Sequence, residues 1–293
     1  MVQLFFCFFL LLPITIYSQF GSLKAKIEDI VSGKNSIVGI AVTGIKETDT
    51  LSLNSEAYFP MQSVFKFHIA IACLSEVDKG RLALDDEIEI KKEDLLPNTW
   101  SPIREKYPGG TKMTLAELIK YTISQSDNNG CDILLNLLGG TKNVNDYFKL
   151  KGFKDVSIIA NEAEMHSDWD IQFKNRTTPK EATNLLIAFH NQTMLSKESN
   201  NFLFQTMAET QTGNNRIKGK LPAGTIVAHK TGSSGINSEG ITAAVNDIGI
   251  VQLPNGKHFY IAVFITDSKE SLDANENIIS GITKLIWDYY TNQ

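Results

Sequence analysis

The chain is poor in cysteine, with three in 293 residues, which excludes a disulfide scaffold. Cys7 falls in a hydrophobic leader. Cys73 and Cys131 read as two buried thiols on helices, with a single disulfide as the alternative. Histidine is scarce too: the five, at 68, 166, 190, 229 and 258, show no H-x-H or H-E-x-x-H spacing, so no metal and no other cofactor is expected. His68 is expected to pack within its helix, and His190 and His258 to meet solvent. There is no basic excess. The net charge is −5 and the Lys and Arg residues are scattered, which argues against a nucleic-acid surface. Low-complexity tracts and internal repeats are absent, so disorder is not indicated; with no nucleic-acid surface a small-molecule partner is expected, and the protein is expected to be a monomer. The one long apolar run, Leu4 to Ile16, is short for a bilayer and is followed by small or polar residues. It reads as a signal peptide over residues 1–18, cut after Ser18, giving a secreted, periplasmic protein with no membrane attachment. The leader lacks Lys and Arg, which leaves a retained anchor as the alternative.

What is present has a clear order. GSLKAKIEDIVSGKN reads as an amphipathic helix ended by Gly33, IVGIAVTGIKE as a β-branched strand, and Thr50 to Leu53 as its partner. From Ser63 to about Met207 helical periodicity dominates. Strands return as TIVAHKTG, ITAAVNDIGIVQL and HFYIAVFITDS, the last two joined by a Pro254-Asn255-Gly256 hairpin turn, and ANENIISGITKLIWDYY closes the chain as a helix. Sheet at both ends with helices between predicts a split α/β lobe, residues 19–56 and 210–293, around an inserted all-helical lobe, 57–209. A cleft between lobes is the natural site.

Three short motifs carry chemistry. In Ser63-Val64-Phe65-Lys66 the serine and lysine share one helical face, so that the amine can accept the hydroxyl proton while the helix N-terminus favours a developing oxyanion. Ser126-Asp127-Asn128 lies where one helix ends and the next begins. There Asp127 suits a cap, Ser126 can relay a proton to a leaving nitrogen, and Asn128 can bond a substrate carbonyl and a lysine. Lys230-Thr231-Gly232-Ser233 ends a strand: Lys230 and Thr231 offer a carboxylate anchor, Gly232 leaves room for a ligand, and the Ser233 N–H can join that of Ser63 as an oxyanion hole. Each motif alone is commonplace as a capping serine, a helix cap or a polar strand end.

Together and in this order the three resemble the signature of class A serine β-lactamases and penicillin-binding proteins, and the likeness to class A spans the mature chain. Gln62, Trp100-Ser101-Pro102, and VAHKTG followed by SGIN are similar to the PER and VEB extended-spectrum branch. The resemblance implies the two-lobe serine β-lactamase/penicillin-binding (DD-peptidase-like) fold, an antiparallel sheet flanked by helices plus the helical lobe. It also implies hydrolysis of β-lactam antibiotics through acylated Ser63. In this reading Lys66, Ser126 and Glu162 complete the catalytic set, with Glu162 in Ala160-Asn161-Glu162-Ala163-Glu164-Met165-His166 as the deacylating base and Glu164 as its rival. Gln62, Trp100, Asn128, His166, Lys230, Thr231, Gly232 and Ser233 bind substrate. Whether Lys66 or Glu162 takes the proton during acylation stays open. A D-Ala-D-Ala peptidase and a non-turnover β-lactam sensor domain share the motifs, but neither needs the Glu162 loop, and a sensor needs membrane helices.

The Glu162 loop departs from the family. Ala160, Ala163 and Asp132 stand where an Arg, a Pro and an Asn are usual, and the far-end residue that would pair with the Arg is Asn175, which is uncharged. A cis Glu162–Ala163 bond would cost about 3–4 kcal/mol with little to offset it. A trans bond is therefore expected, in a rearranged loop tied by an Asp132–Asn175 hydrogen bond and leaving room for bulky oxyimino substrates.

Overall fold

The computed structural model describes residues 14–45 and 49–292. Cys7 and most of the apolar leader lie outside them. Helix α1 (Ile14–Val31) leads to strands β1 (Ile37–Thr43) and β2 (Thr50–Leu53). Then follow β3 (Phe59–Pro60), α2 (Phe65–Asp78), β4 (Glu87–Lys91), α3 (Pro102–Lys106), β5 (Gly110–Thr114), α4 (Leu115–Ser124), α5 (Asn128–Leu137) and α6 (Thr141–Leu150). Next come β6 (Val156–Ser157), α7 (Glu162–Ser167), β7 (Arg176–Thr177), α8 (Pro179–His190) and α9 (Lys197–Ala208), before β8 (Val227–Ser233), β9 (Val245–Gln252), β10 (His258–Thr266) and α10 (Leu272–Thr291).

The main sheet is antiparallel, in the order β2-β1-β10-β9-β8, so chain ends distant in sequence meet side by side. The turn at Pro254-Asn255-Gly256 is made as expected, with Gly256 at φ 78° and the Leu253 N–H bonded to Lys257 O. Strand β10 shows why its sequence is nearly continuous in apolar residues: Phe259, Ile261, Val263 and Ile265 pack with α1 and α10, while Ala262 and Phe264 pack with the helices on the other side. Helix α2 runs through the middle of that second core, buried from Phe65 to Ser75.

The inserted region is helical but not purely so. It carries two short antiparallel sheets, β4-β5 and β3-β7-β6, whose strands of two to five residues are too brief for a pattern to announce. Cys73 and Cys131 are unbonded and buried, and burial pushes the Cys73 thiol up to about 12. His68 packs edge-on against Phe148 at 4.9 Å, and burial lowers it to about 4. His190 and His258 meet solvent only in part. They are half-buried, 4.5 Å apart between ring centres, with His190 Nδ1 2.7 Å from Tyr260 Oη, because α8 lies across the end of β10. Among the described residues no helix is long and apolar enough to cross a membrane.

Candidate active site

Ser63 sits in a 3-10 turn, Gln62–Val64, that runs directly into α2. Gln62 before it takes φ 46°, a region rare for a residue with a side chain, and Ser126 takes φ 59°. Backbone outliers of this kind persist only where their surroundings hold them. Here the Gln62 amide donates to Gln172 Oε1 at 2.6 Å, and the Met61 N–H donates to Asn175 O at 2.8 Å.

One turn into α2, Lys66 is fully buried and central to the cluster. Its Nζ donates to Ser63 Oγ at 2.8 Å, Ser126 O at 3.1 Å and Asn128 Oδ1 at 2.5 Å, and forms an ion pair with Glu162 Oε1 at 2.7 Å. Four oxygens therefore face a group with at most three hydrogens. Glu162 Oε1 is the one left without an aligned hydrogen bond, buried beside the ammonium. The geometry lets a proton move between Ser63, Lys66 and Glu162 with little displacement of heavy atoms.

Ser126 is held from both sides. Asp127 caps α5, taking the Gly130 N–H at 2.8 Å, the Ile103 N–H at 2.7 Å and the Ser101 hydroxyl at 2.9 Å. Burial raises this carboxyl, and those donors oppose the shift. Lys230, also fully buried, donates to Ser126 Oγ at 2.9 Å. Its amine is well below the usual lysine range because it is desolvated and lies near the Lys66 charge. Asn128 Oδ1 meets Lys66 as the motif suggested, while its amide donates to Thr99 Oγ1 at 2.6 Å.

Strand β8 closes on the serine turn. A Cβ at Gly232 would run into the Met61 carbonyl oxygen, so only glycine lets the strand end lie against the residues leading to Ser63. Sequence reading missed Arg216, which is buried and donates to Gly232 O at 3.1 Å, Asn246 O at 2.9 Å and Ser233 Oγ at 2.7 Å, and is paired with Glu276 at 3.2 Å. No local pattern marks it, since every partner is distant in sequence.

The two rival carboxylates separate cleanly. Glu164 closes a capping box on α7, accepting the Asn161 N–H at 2.9 Å, and is exposed; Glu162 is the one turned to Lys66. Among the described residues there is no cis peptide bond, so Glu162–Ala163 is trans. The expected Asp132–Asn175 hydrogen bond is not made. Asp132 instead accepts the Glu162 N–H at 2.8 Å and the Ala163 N–H at 3.0 Å, because the first N–H groups of α7 need acceptors. Asn175 takes the Ile159 and Ala160 N–H groups at 2.7 and 2.9 Å and donates to Ala160 O. The loop is thus pinned twice, independently.

Over these groups opens a cleft of about 360 Å³, whose lining includes Gln62, Ser63, Asn128, Glu162, His166 and Ser233 with Thr99, Trp169, Gln172 and Ile236. Trp100 is not part of that lining. It is 55% exposed, with its indole N–H on Gln125 O, and its neighbour Thr99 faces the cleft instead. Thr231 lies beneath, its hydroxyl 2.6 Å from that of Thr212. A larger cleft, about 440 Å³, lies at the far end of α2 beside Glu76, Leu138 and Tyr147 but holds none of the motif residues. Chemistry rather than volume picks the site.

Comparison with known proteins agrees with this arrangement. Residues 22–290 match the beta-lactamase enzyme family. The chain is 51% identical over 282 residues to beta-lactamase VEB-1 of Pseudomonas aeruginosa, covering 95% of this chain and 94% of the relative. It is 44% identical over 273 residues to the extended-spectrum beta-lactamase PER-1 of the same organism, covering 93% and 88%. Among solved structures, the TLA-3 extended-spectrum beta-lactamase superposes with a TM-score of 0.91 at 51% identity, covering 92% of this chain and 99% of that one. A class A beta-lactamase from Bacteroides cellulosilyticus DSM 14838 gives 0.90 at 42% identity, covering 94% and 99%. With two serines, two lysines and a glutamate gathered from four separate segments into one cluster, and with likeness along nearly the whole chain, the protein belongs to the beta-lactamase enzyme family, among its class A serine enzymes.

Proposed function

We propose that this cleft hydrolyses β-lactam rings through an ester on Ser63, with Glu162 driving its release. Ser63 Oγ gives its proton to the Lys66–Glu162 pair and adds to the lactam carbonyl, whose oxygen is met by the Ser63 and Ser233 N–H groups. The C–N bond then breaks, and the ring nitrogen takes a proton from Ser126 Oγ, which the neighbouring lysines replenish. In the second half Glu162 removes a proton from water as it adds to the ester. The ester C–O bond breaks and Ser63 recovers its hydrogen. Lys230, Thr231 and Ser233 take the substrate carboxylate, with Asn128, Gln62, Gly232 and His166 along its path.

The observation that carries this reading is the placement of Lys66 Nζ, 2.8 Å from Ser63 Oγ and 2.7 Å from Glu162 Oε1. A penicillin-binding peptidase or a sensor has no use for a buried carboxylate there. Mixing purified protein with a chromogenic cephalosporin tests it: many turnovers per protein are expected, and a single stoichiometric burst would point to a binder. The same reading takes residues 19–56 and 210–293 as the α/β lobe, 57–209 as the helical lobe, 1–18 as a leader removed on export to the periplasm, and the mature enzyme as a monomer.

A further inference from the structure

We propose that the buried pair His229–Asp247 is a positioning unit for Arg216 and, through it, for the end of the cleft that receives the substrate carboxylate; this rests on the function proposed above. Strand alternation turns His229 away from the face on which Lys230 reaches Ser126. Its Nδ1 lies 2.9 and 3.0 Å from the two Asp247 oxygens, and both side chains are fully buried. A carboxylate accepts, so Nδ1 carries the hydrogen, and Nε2 is left buried without a partner. The pair therefore does not reach the cleft itself.

Its reach is through the main chain. Asp247 Oδ2 also accepts the N–H of Ile217 at 3.2 Å, fixing the backbone one residue beyond Arg216. From there the Arg216 guanidinium spans Gly232 O, Asn246 O and Ser233 Oγ. Glu276 holds the head of this arginine and Asp247 holds its base. The segment leading into Arg216 is held against the same strand. Thr210 Oγ1 bonds His229 O at 2.9 Å, Thr212 meets Thr231 at 2.6 Å, and a Cβ at Gly213 would strike the Thr231 methyl. A shift of Ile217 is therefore passed to Arg216 and on to Ser233. Apolar side chains would fill the same space without the penalty of burying a carboxylate, which is why a positional role accounts for the pair better than packing alone.

A double-mutant cycle tests this with two substrates, a chromogenic cephalosporin and its methyl ester, whose carboxylate is masked. Asp247→Asn is expected to lower kcat/KM for the free acid by about 10-fold or more, the scale of one charged hydrogen bond, and the ester's value by clearly less, because the ester still needs the Ser233 N–H but not the carboxylate anchor. The single-turnover deacylation rate should fall no more than the ester's value, since Glu162 lies on another element and only the Ser233 N–H is shared. Arg216→Ala should show the same selectivity, and adding Asp247→Asn to it should cause no further loss. Losses that multiply in the double variant, equal losses for acid and ester, or an Asp247→Asn enzyme that matches wild type would each overturn the proposal. If Asp247→Asn does not fold, His229→Asn enters the same cycle with the same outcomes. A wild-type protein that turns over neither substrate would instead overturn the function proposed above.

Discussion

Lys66 touches Ser63, Ser126, Asn128 and Glu162 at once, so substitutions around it separate the two halves of the reaction. Ser63→Ala deletes the nucleophile but only one hydroxyl, so kcat should fall by at least about 10³-fold with thermal stability almost unchanged. A variant that kept near-wild-type turnover would show that another group is acylated. Glu162→Ala leaves Lys66 to assist acylation and removes the base for water, so kcat should fall by about 10²–10⁴-fold while a covalent adduct builds up on Ser63 in intact-mass spectra. Turnover without an adduct would move the deacylating role to another carboxylate. Much of this was legible from motif order, because Ser63-x-x-Lys66 needs only helical spacing to bring its heads together. Arg216 and Trp169 were not legible: their place in the site depends on which distant residues they meet. Trp100 lies next to Thr99 of the cleft lining, with its indole N–H on Gln125 O.

At the scale of one element, the segment from Ile159 to Asn175 shows what local chemistry decides. Absence of proline after Glu162 was enough to expect a trans bond, and the bond is trans. The tie between Asp132 and Asn175 failed because a helix start offers N–H donors to Asp132 that a pairwise guess ignores. Asp132 is pushed up to about 6, chiefly by burial, against the α7 N–H groups that favour its charge. A carboxyl raised on folding adds stability that is full below its unfolded value near 4 and is lost as pH rises through 6. Comparing denaturant unfolding at pH 4.5 and 7, wild type should lose on the order of 2 kcal/mol more than Asp132→Asn between them. Equal pH dependence would mean that Asp132 titrates as an ordinary exposed acid. The loop, which contributes Trp169 to a cleft lining that also includes Ile236, should also admit oxyimino side chains. Cefotaxime and ceftazidime should be hydrolysed with kcat/KM within about 100-fold of benzylpenicillin. Good penicillin turnover beside negligible cefotaxime turnover would show that the loop leaves no such room.

Across the whole molecule, the split arrangement was readable because strands at both ends of the chain must pair with something, and β1 pairs with β10 along seven residues. The short sheets and the stitching between main sheet and helical region were not readable, since they rest on single side chains. Asn246 is the clearest of these. It sits fully buried on β9, sends its amide to Pro60 O at 2.7 Å and Met61 O at 3.2 Å, and takes the Ile265 N–H at 3.2 Å. Its own carbonyl receives Arg216. One side chain thus joins β9, β10 and the strand that feeds the Ser63 turn, without touching the cleft lining. Asn246→Ala would take the amide from the Pro60 carbonyl and the acceptor from the Ile265 N–H, while Met61 O keeps the Val64 N–H at 3.2 Å; each buried group left unpaired costs about 1–3 kcal/mol when nothing replaces the bond. The expected loss is on the order of 3 kcal/mol of unfolding free energy, because some groups relax toward water. It should also loosen the turn that holds Gln62 at φ 46°, so kcat for every β-lactam should fall together rather than selectively. Asn246→Asp separates the two effects: its oxygens still accept from Ile265 but face the Pro60 and Met61 carbonyls, so it should lose as much activity as alanine. An aspartate variant with wild-type turnover would show that the Ser63 turn holds its shape without the stitch.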